Sequence, residues 1–206
     1  MDQIAEVFDR IAGRYDRQIG RVERLVLGQA RGWAVGQARG RVLEIAVGTG
    51  LNLPLYGGNV EKVIGFDLSQ GVLDIAAARS HRPGLVVELE RGDVQQLPLP
   101  DASVDTVVST YSFCTIPDPG RVCGEAMRVL VPGGRFVLAE HGPSTVAVVR
   151  AAMKAVEPLS VRLGADHLLR DPLPYLKQAR FDIVESHRGG RGRVAFRVLA
   201  AKPAGS

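Results

Sequence analysis

Short β-branched runs alternate along this chain with stretches whose apolar residues recur at three- and four-residue spacing. RVLEIA (41–46), KVIGFD (62–67), LVVELE (85–90), VDTVVS (104–109) and RFVLAE (135–140) read as strands, with helices expected near 70–80 and 119–130. This alternation predicts an α/β fold built on a largely parallel sheet. Beyond residue 140 the pattern changes. A helix is expected over 145–163, followed by a polar linker with Asp166, His167, Arg170 and Asp171, and a further helix in RDPLPYLKQARF (170–181). FDIVES (181–186) and VAFRVLAAK (194–202) flank the short Gly-rich HRGGRGR, which predicts an antiparallel hairpin finishing the sheet. The first 38 residues read as helical: Ile4, Val7, Phe8, Ile11 and Tyr15 form an apolar stripe, while Arg10, Arg14, Arg17, Arg21, Arg24 and Arg31 fill the other faces.

A length of 206 residues predicts one domain, divided here into a helical lid over 1–38 and a core over 39–206. An apolar share of 46% with 23% charged residues excludes a disordered chain. The net charge of +4 comes largely from arginines near the two ends, a mild bias that permits an anionic ligand or surface without requiring one. Cys114 and Cys123 lack metal-type CxxC spacing, so neither a disulfide framework nor a metal is expected, and a reducing cytoplasm fits. No apolar run reaches bilayer-spanning length, and the first residues carry no apolar signal core.

The chemistry concentrates in VLEIAVGTGLNLPLY (42–56), where a buried strand runs into a Gly-Thr-Gly turn. Gly48 and Gly50 allow backbone conformations and close ligand approach that a side chain would block. Seventeen residues after Gly50 a strand ends in Asp67, whose carboxylate can accept hydrogen bonds from both hydroxyls of a ribose. After the third strand, GDVQQLP carries Asp93, suited to the amino edge of an adenine. Ligands of parallel sheets bind at these carboxyl ends, so the three strand ends describe a pocket for an adenosine-containing ligand. Two such ligands compete. A dinucleotide site uses GxGxxG, but here the third glycine is replaced by Leu53, and Glu44 would repel a pyrophosphate. Glu44 suits instead a cation such as the amino group of S-adenosylmethionine (SAM).

VLEIAVGTG, GFDLS, GDVQQLPLPDASVD and RVLVPGGRF together resemble the successive motifs of class I SAM-dependent methyltransferases, in the branch similar to ubiquinone/menaquinone methyltransferases, from about residue 40 to the C-terminus. The resemblance implies a Rossmann-like sheet of seven strands, mostly parallel with an antiparallel C-terminal strand and helices on both faces. One departure is Ala46-Val47, where many relatives have Gly-Cys or Gly-Ser. STYSFCTIPDP (109–119), AEHG (139–142) and DHLLRDP (166–172) further resemble segments of bacterial phosphatidylethanolamine N-methyltransferases and of small thiol methyltransferases.

The residues expected to contact SAM, converted to S-adenosylhomocysteine (SAH), are Glu44, Ala46, Gly48, Gly50, Asn52, Asp67, Leu68, Asp93, Val94 and Ser109, with Asn52 at the start of a helix after the turn. The resemblance adds Tyr15, in RYDR, as a cover for the cofactor. His141 and His167 are the candidate bases, and Tyr111, Phe113 and Arg170 the candidate acceptor contacts. Cys114 reads as a packing residue. The acceptor is a small or lipid-like molecule: an aminophospholipid headgroup, or alternatively a quinol, phenol or thiol. The arginine-rich N-terminal helix fits contact with anionic lipid or a solvated lid. Scarce aromatics and no basic stripe argue against nucleic acid. A nicotinamide-dependent oxidoreductase and a non-catalytic SAM-binding module are the alternatives from other classes.

Overall fold

The computed structural model describes residues 2–79, 81–164 and 166–205; the side chains of residues 2–5, 7, 8, 11, 15, 18, 163 and 164 lie outside that description. Seven strands form one sheet: β1 (Gly40–Ile45), β2 (Val60–Asp67), β3 (Val86–Arg91), β4 (Val104–Thr110), β5 (Leu130–His141), β6 (Asp182–Gly189) and β7 (Ala195–Ala201). Their order is β3-β2-β1-β4-β5-β7-β6. The neighbours from β3 to β5 are parallel, and β7 runs antiparallel to both β5 and β6. The strand order reverses direction between β1 and β4, so the loops leaving those two strands diverge and open a crevice.

The central strands are apolar at consecutive positions because both faces of the sheet are covered. In β4 and β5, Val107, Phe136 and Leu138 pack into one cluster, whereas Val108, Val137 and Ala139 pack into clusters on the opposite face. All six are inaccessible to solvent. Burying each large side chain here contributes about 1.5–3 kcal/mol.

The helices start where their capping residues stand. Ser69 accepts from the Val72 N–H at 3.2 Å and opens α3 (Gln70–Ala77, numbered after the two N-terminal helices α1, Asp2–Val22, and α2, Ala30–Gly36). Asp118 with Pro119 opens α4 (Pro119–Val129), and Asp171 with Pro172 opens α6 (Pro172–Gln178). Between them lies α5 (Ala147–Gly164).

Two local expectations are corrected. The N-terminal helical stretch breaks: α1 continues into a π-helical turn (Glu23–Leu27), ended by Gly28 at φ 70°, before α2 begins. After β1 the expected helix is only a single 3₁₀ turn (Leu53–Leu55), which Asn52 precedes without a side-chain cap, and the following Gly57-Gly58 end it.

Candidate active site

The loops leaving β1, β2, β3 and β4 surround a narrow cavity at the carboxyl edge of the sheet. Ala46, Gly48, Asp67, Leu68, Asp93 and Val94 line it. At the end of β2, Asp67 accepts from the Gly48 N–H at 2.9 Å through Oδ2 and from the Ser69 N–H at 3.0 Å through Oδ1. It thereby fixes the Gly-Thr-Gly turn while its remaining lone pairs are available to a ligand. Burial, only partly offset by those N–H donors, raises its pKa. Asp93 is held by the Gln95 N–H at 2.9 Å. The Gly92 position tolerates no side chain, since a Cβ would fall 2.9 Å from the Phe66 ring. Apolar walls from Leu68, Val94 and Ile116, with carboxylates at two strand ends, fit an adenosine.

Ala46 and Tyr111, the residues that leave β1 and β4, both have positive φ, 50° and 53°, and both line this cavity. Left-handed backbone at non-glycine residues is sustained by its surroundings and recurs at ligand sites. The Ala46 departure noted in the sequence therefore keeps the turn that glycine would adopt more easily.

α1 crosses the turn and the end of β2. Its Asp9 accepts from the Gly71 N–H at 2.9 Å and from the Ser69 hydroxyl, which lowers its pKa. Its Asp16 accepts from the Thr49 hydroxyl and pairs with Arg79. The Tyr15 side chain lies outside the described residues.

Four residues expected at the cofactor do not line the cavity. Glu44 is buried with both oxygens engaged, accepting from Asn52 Nδ2 at 2.9 Å and from the Tyr56 hydroxyl at 2.7 Å. Asn52 in turn accepts from Arg31 Nη1 at 2.8 Å. Gly50 is required by packing: at φ 75°, a Cβ would meet Leu53 at 2.8 Å and Ala76 at 3.1 Å. Ser109 donates to Glu140 at 2.7 Å within the core.

A second cavity of about 370 Å³ adjoins the first across Tyr111 and Thr115, which line both. It lies among α1, the π-helical turn and α5, and its wall is mainly apolar: Ile19, Val22, Val26, Met153, Leu168 and Val194. Its polar edge carries Cys114, His141 and Asp166. His141, the last residue of β5, has Nε2 at 3.2 Å from Asp166 Oδ1. Burial lowers the His141 pKa, but the Asp166 carboxylate outweighs it and the net shift is upward. Asp166 is shifted downward by the same pairing against the opposing effect of burial.

The loop dividing the cavities is clamped from two sides. Glu140 accepts from the Phe113 N–H at 3.2 Å and the Ser112 N–H at 3.4 Å. Arg170 donates to the carbonyls of Phe113, Cys114 and Ile116. Arg170 is therefore a clamp on backbone, not an acceptor contact; nor does it pair with Asp171, which bonds Arg188 at 2.8 Å. Phe113 turns into the core against Tyr175, ring centroids 5.9 Å apart, and is not a wall of either cavity. His167 stands 3.9 Å from Glu157 and lines neither cavity. Burial raises the Cys114 thiol pKa, keeping it protonated, and the same cause raises that of Cys123.

Sequence reasoning missed Glu140, Arg31 and Asp166 as site residues. Glu140 and Glu44 are buried carboxyls pushed up from 4.5 to about 7, chiefly by desolvation. Between pH 4.5 and 7 the folded chain holds protons there that the unfolded chain releases, so stability falls as pH rises. Each group contributes a slope of up to roughly 1.4 kcal/mol per pH unit. Denaturant midpoints measured from pH 5 to 8 should fall, and Glu140→Gln should flatten the fall; a rising midpoint would contradict this assignment.

The comparisons agree with this geometry. The Methyltransferase domain family matches residues 43–138. A demethylmenaquinone methyltransferase of Deinococcus radiodurans is 37% identical over 79% of this chain and 70% of its own length. A phosphatidylethanolamine N-methyltransferase of Cereibacter sphaeroides is 39% identical over 61% of this chain and 62% of its own. A SAM-dependent methyltransferase structure from Thermotoga maritima superposes with a TM-score of 0.72 over 96% of this chain and 99% of its own, at 22% identity, which speaks to the fold alone. The chain belongs to the class I SAM-dependent methyltransferases. It is an enzyme that uses SAM as its methyl donor, and the nicotinamide alternative is set aside.

Proposed function

We propose that this enzyme methylates a lipid-like acceptor whose apolar body occupies the 370 Å³ chamber and whose reacting atom meets the adenosine cavity at Tyr111 and Thr115. The shared wall carries the reading: one cavity has ribose- and adenine-type acceptors, and the other is apolar with a polar corner. SAM, when bound, supplies a methyl group already activated on a sulfonium. The chain's own task is to align the acceptor and exclude water, for which a clamped dividing loop is suited. The two relatives named above are, by their names, methyltransferases of a quinone and of a phospholipid, which supports a lipid-like acceptor.

An aminophospholipid headgroup is the first acceptor to test, and a quinol, phenol or thiol the second. SAM with a labelled methyl group, offered with the lipid and aqueous fractions of a cell extract, should deliver label to the lipid fraction. Headgroup analysis then separates the phospholipid from the quinol. Label confined to the aqueous fraction would refute the lipid-like reading.

The exposed surface beside the chamber supports access from a membrane. Val22 and Leu25 are 44% and 61% exposed, with exposed Arg21 and Arg24 beside them, and α5 adds exposed Val148, Val156 and Leu159 among Arg150, Lys154 and Arg162. Among the described residues no helix is long and apolar enough to cross a membrane, so contact would be peripheral. Cosedimentation with phosphatidylglycerol vesicles should exceed that with phosphatidylcholine. Replacing Arg21 and Arg24 by glutamine should weaken it roughly 30-fold; equal sedimentation with both lipids would remove membrane docking from the proposal.

A further inference from the structure

We propose that His141 and Asp166 form the pair that accepts the acceptor's proton, with His141 the base and Asp166 the residue that positions it. It follows that the acceptor is methylated at an atom that must lose a proton: a hydroxyl, a thiol or a protonated amine. This rests on the methyltransferase reading of the chamber and names the chemistry of its polar corner.

Three observations converge. Asp166 reaches His141 from a different element, 25 residues on in the chain, with Oδ1 3.2 Å from Nε2. That oxygen is buried with the His141 ring and the Cys114 thiol as its neighbours, and of these two the imidazole is the group able to offset its charge. Both side chains line the chamber, whose contributions from α1, the π-helical turn and α5 are apolar. The groups facing His141 are few. Glu140 precedes it on β5 and is engaged with Ser109. Cys114 and Tyr111 come from the dividing loop, and burial raises the pKa of both, so neither supplies a base near neutrality. Arg170 is bound to carbonyls of that loop, and His167 faces Glu157 on α5. With Nε2 turned to Asp166, Nδ1 retains the lone pair that takes a proton; among the described residues no hydrogen bond occupies it.

The step balances. The acceptor's electron pair forms the bond to the methyl carbon as the carbon–sulfur bond breaks, its electrons returning to sulfur to leave SAH. The acceptor's proton passes to His141, before the attack for a protonated amine and as the bond forms for a hydroxyl or thiol, and Asp166 stabilises the resulting positive charge. The proton leaves to solvent after product release.

Because Asp166 raises the His141 pKa, the base is freed at a higher pH than an unpaired histidine would be. Activity should rise with pH through that raised value. In Asp166→Asn the acid limb should move to lower pH while the plateau rate falls about 10- to 100-fold, since the ring is easier to deprotonate but less well held. His141→Gln should lose about 100-fold or more. Binding of SAH by calorimetry should stay near normal in both. A readout independent of turnover is the imidazole C2–H titration of His141 by NMR, assigned with His141→Gln; it too should move down in Asp166→Asn. Turnover is followed with labelled-methyl SAM and cell lipid extract from pH 5.5 to 9. Wild-type transfer with an unchanged acid limb and unchanged His141 titration in Asp166→Asn would overturn the pair alone. No transfer to any fraction by the wild type would remove the functional reading and this inference with it. The Cys114, His141 and Asp166 donor atoms lie within 4.8 Å of one another, so stoichiometric zinc retained by the wild type and lost in Asp166→Asn would also overturn it.

Discussion

Replacing Asp67 with alanine should weaken SAM and SAH binding by about 30- to 1000-fold, or roughly 2–4 kcal/mol. The range follows from removing a charged acceptor able to receive two ribose hydroxyls, each such bond being worth about 1.5–3 kcal/mol before rearrangement. The substitution also releases the Gly48 N–H, bonded at 2.9 Å, and with it the turn that must lie against the ligand. Asp67→Asn should be milder, because an amide oxygen can keep one of these roles. Calorimetric titration with SAH reads the effect without an acceptor. Affinity within twofold of wild type would remove Asp67 from the site.

The second large effect is on stability. Arg31 reads in the sequence as one of several arginines on an exposed helix face. In the fold it is largely buried, binding Glu23 through Nε and Nη2, Asn52 at 2.8 Å and Thr110 at 3.2 Å through Nη1, with its guanidinium 5.1 Å from the centre of the Tyr111 ring. It also lowers the burden of ionising Glu44. Arg31→Met keeps the apolar stem but strands these partners. A loss of about 3–5 kcal/mol is expected, the cost of leaving a buried charge partner uncompensated. For a chain of this size that is about 6–20 °C in Tm. Lysine should rescue little, since one ammonium cannot reproduce the fork to Glu23 and the separate contacts to Asn52 and Thr110. A change below 1 kcal/mol would show that Arg31 behaves as a surface arginine.

The sequence makes the sheet legible because strands covered on both faces print continuous apolar runs, and the Gly-rich hairpin announces the reversed last strand. Asp67 and Asp93 are legible for the same reason: each stands where such a run ends, and strand ends are where ligands of parallel sheets lie. Glu44, inside the first run and expected to face a cation, instead shares the face of Val42 and is engaged by Asn52 and Tyr56, partners that the run itself does not reveal. Phe113 follows Tyr111, whose positive φ redirects the loop and sends the ring into the core. Arg170 reads as an acceptor contact because its carbonyl partners, more than fifty residues away, leave no mark on the side-chain pattern. Separation along the chain likewise hid the Asp166–His141 pairing, across a whole helix, and the contact of Arg31 with Thr110.

The central claim is that the adenosine cavity and the apolar chamber are two halves of one reaction site. Crystallising the enzyme with SAH tests it most directly. The account predicts ribose hydroxyls on Asp67, adenine beside Asp93, and the sulfur at the Tyr111–Thr115 boundary, facing the chamber that holds His141. An adenosine bound elsewhere, or a sulfur pointing away from that chamber, would contradict it.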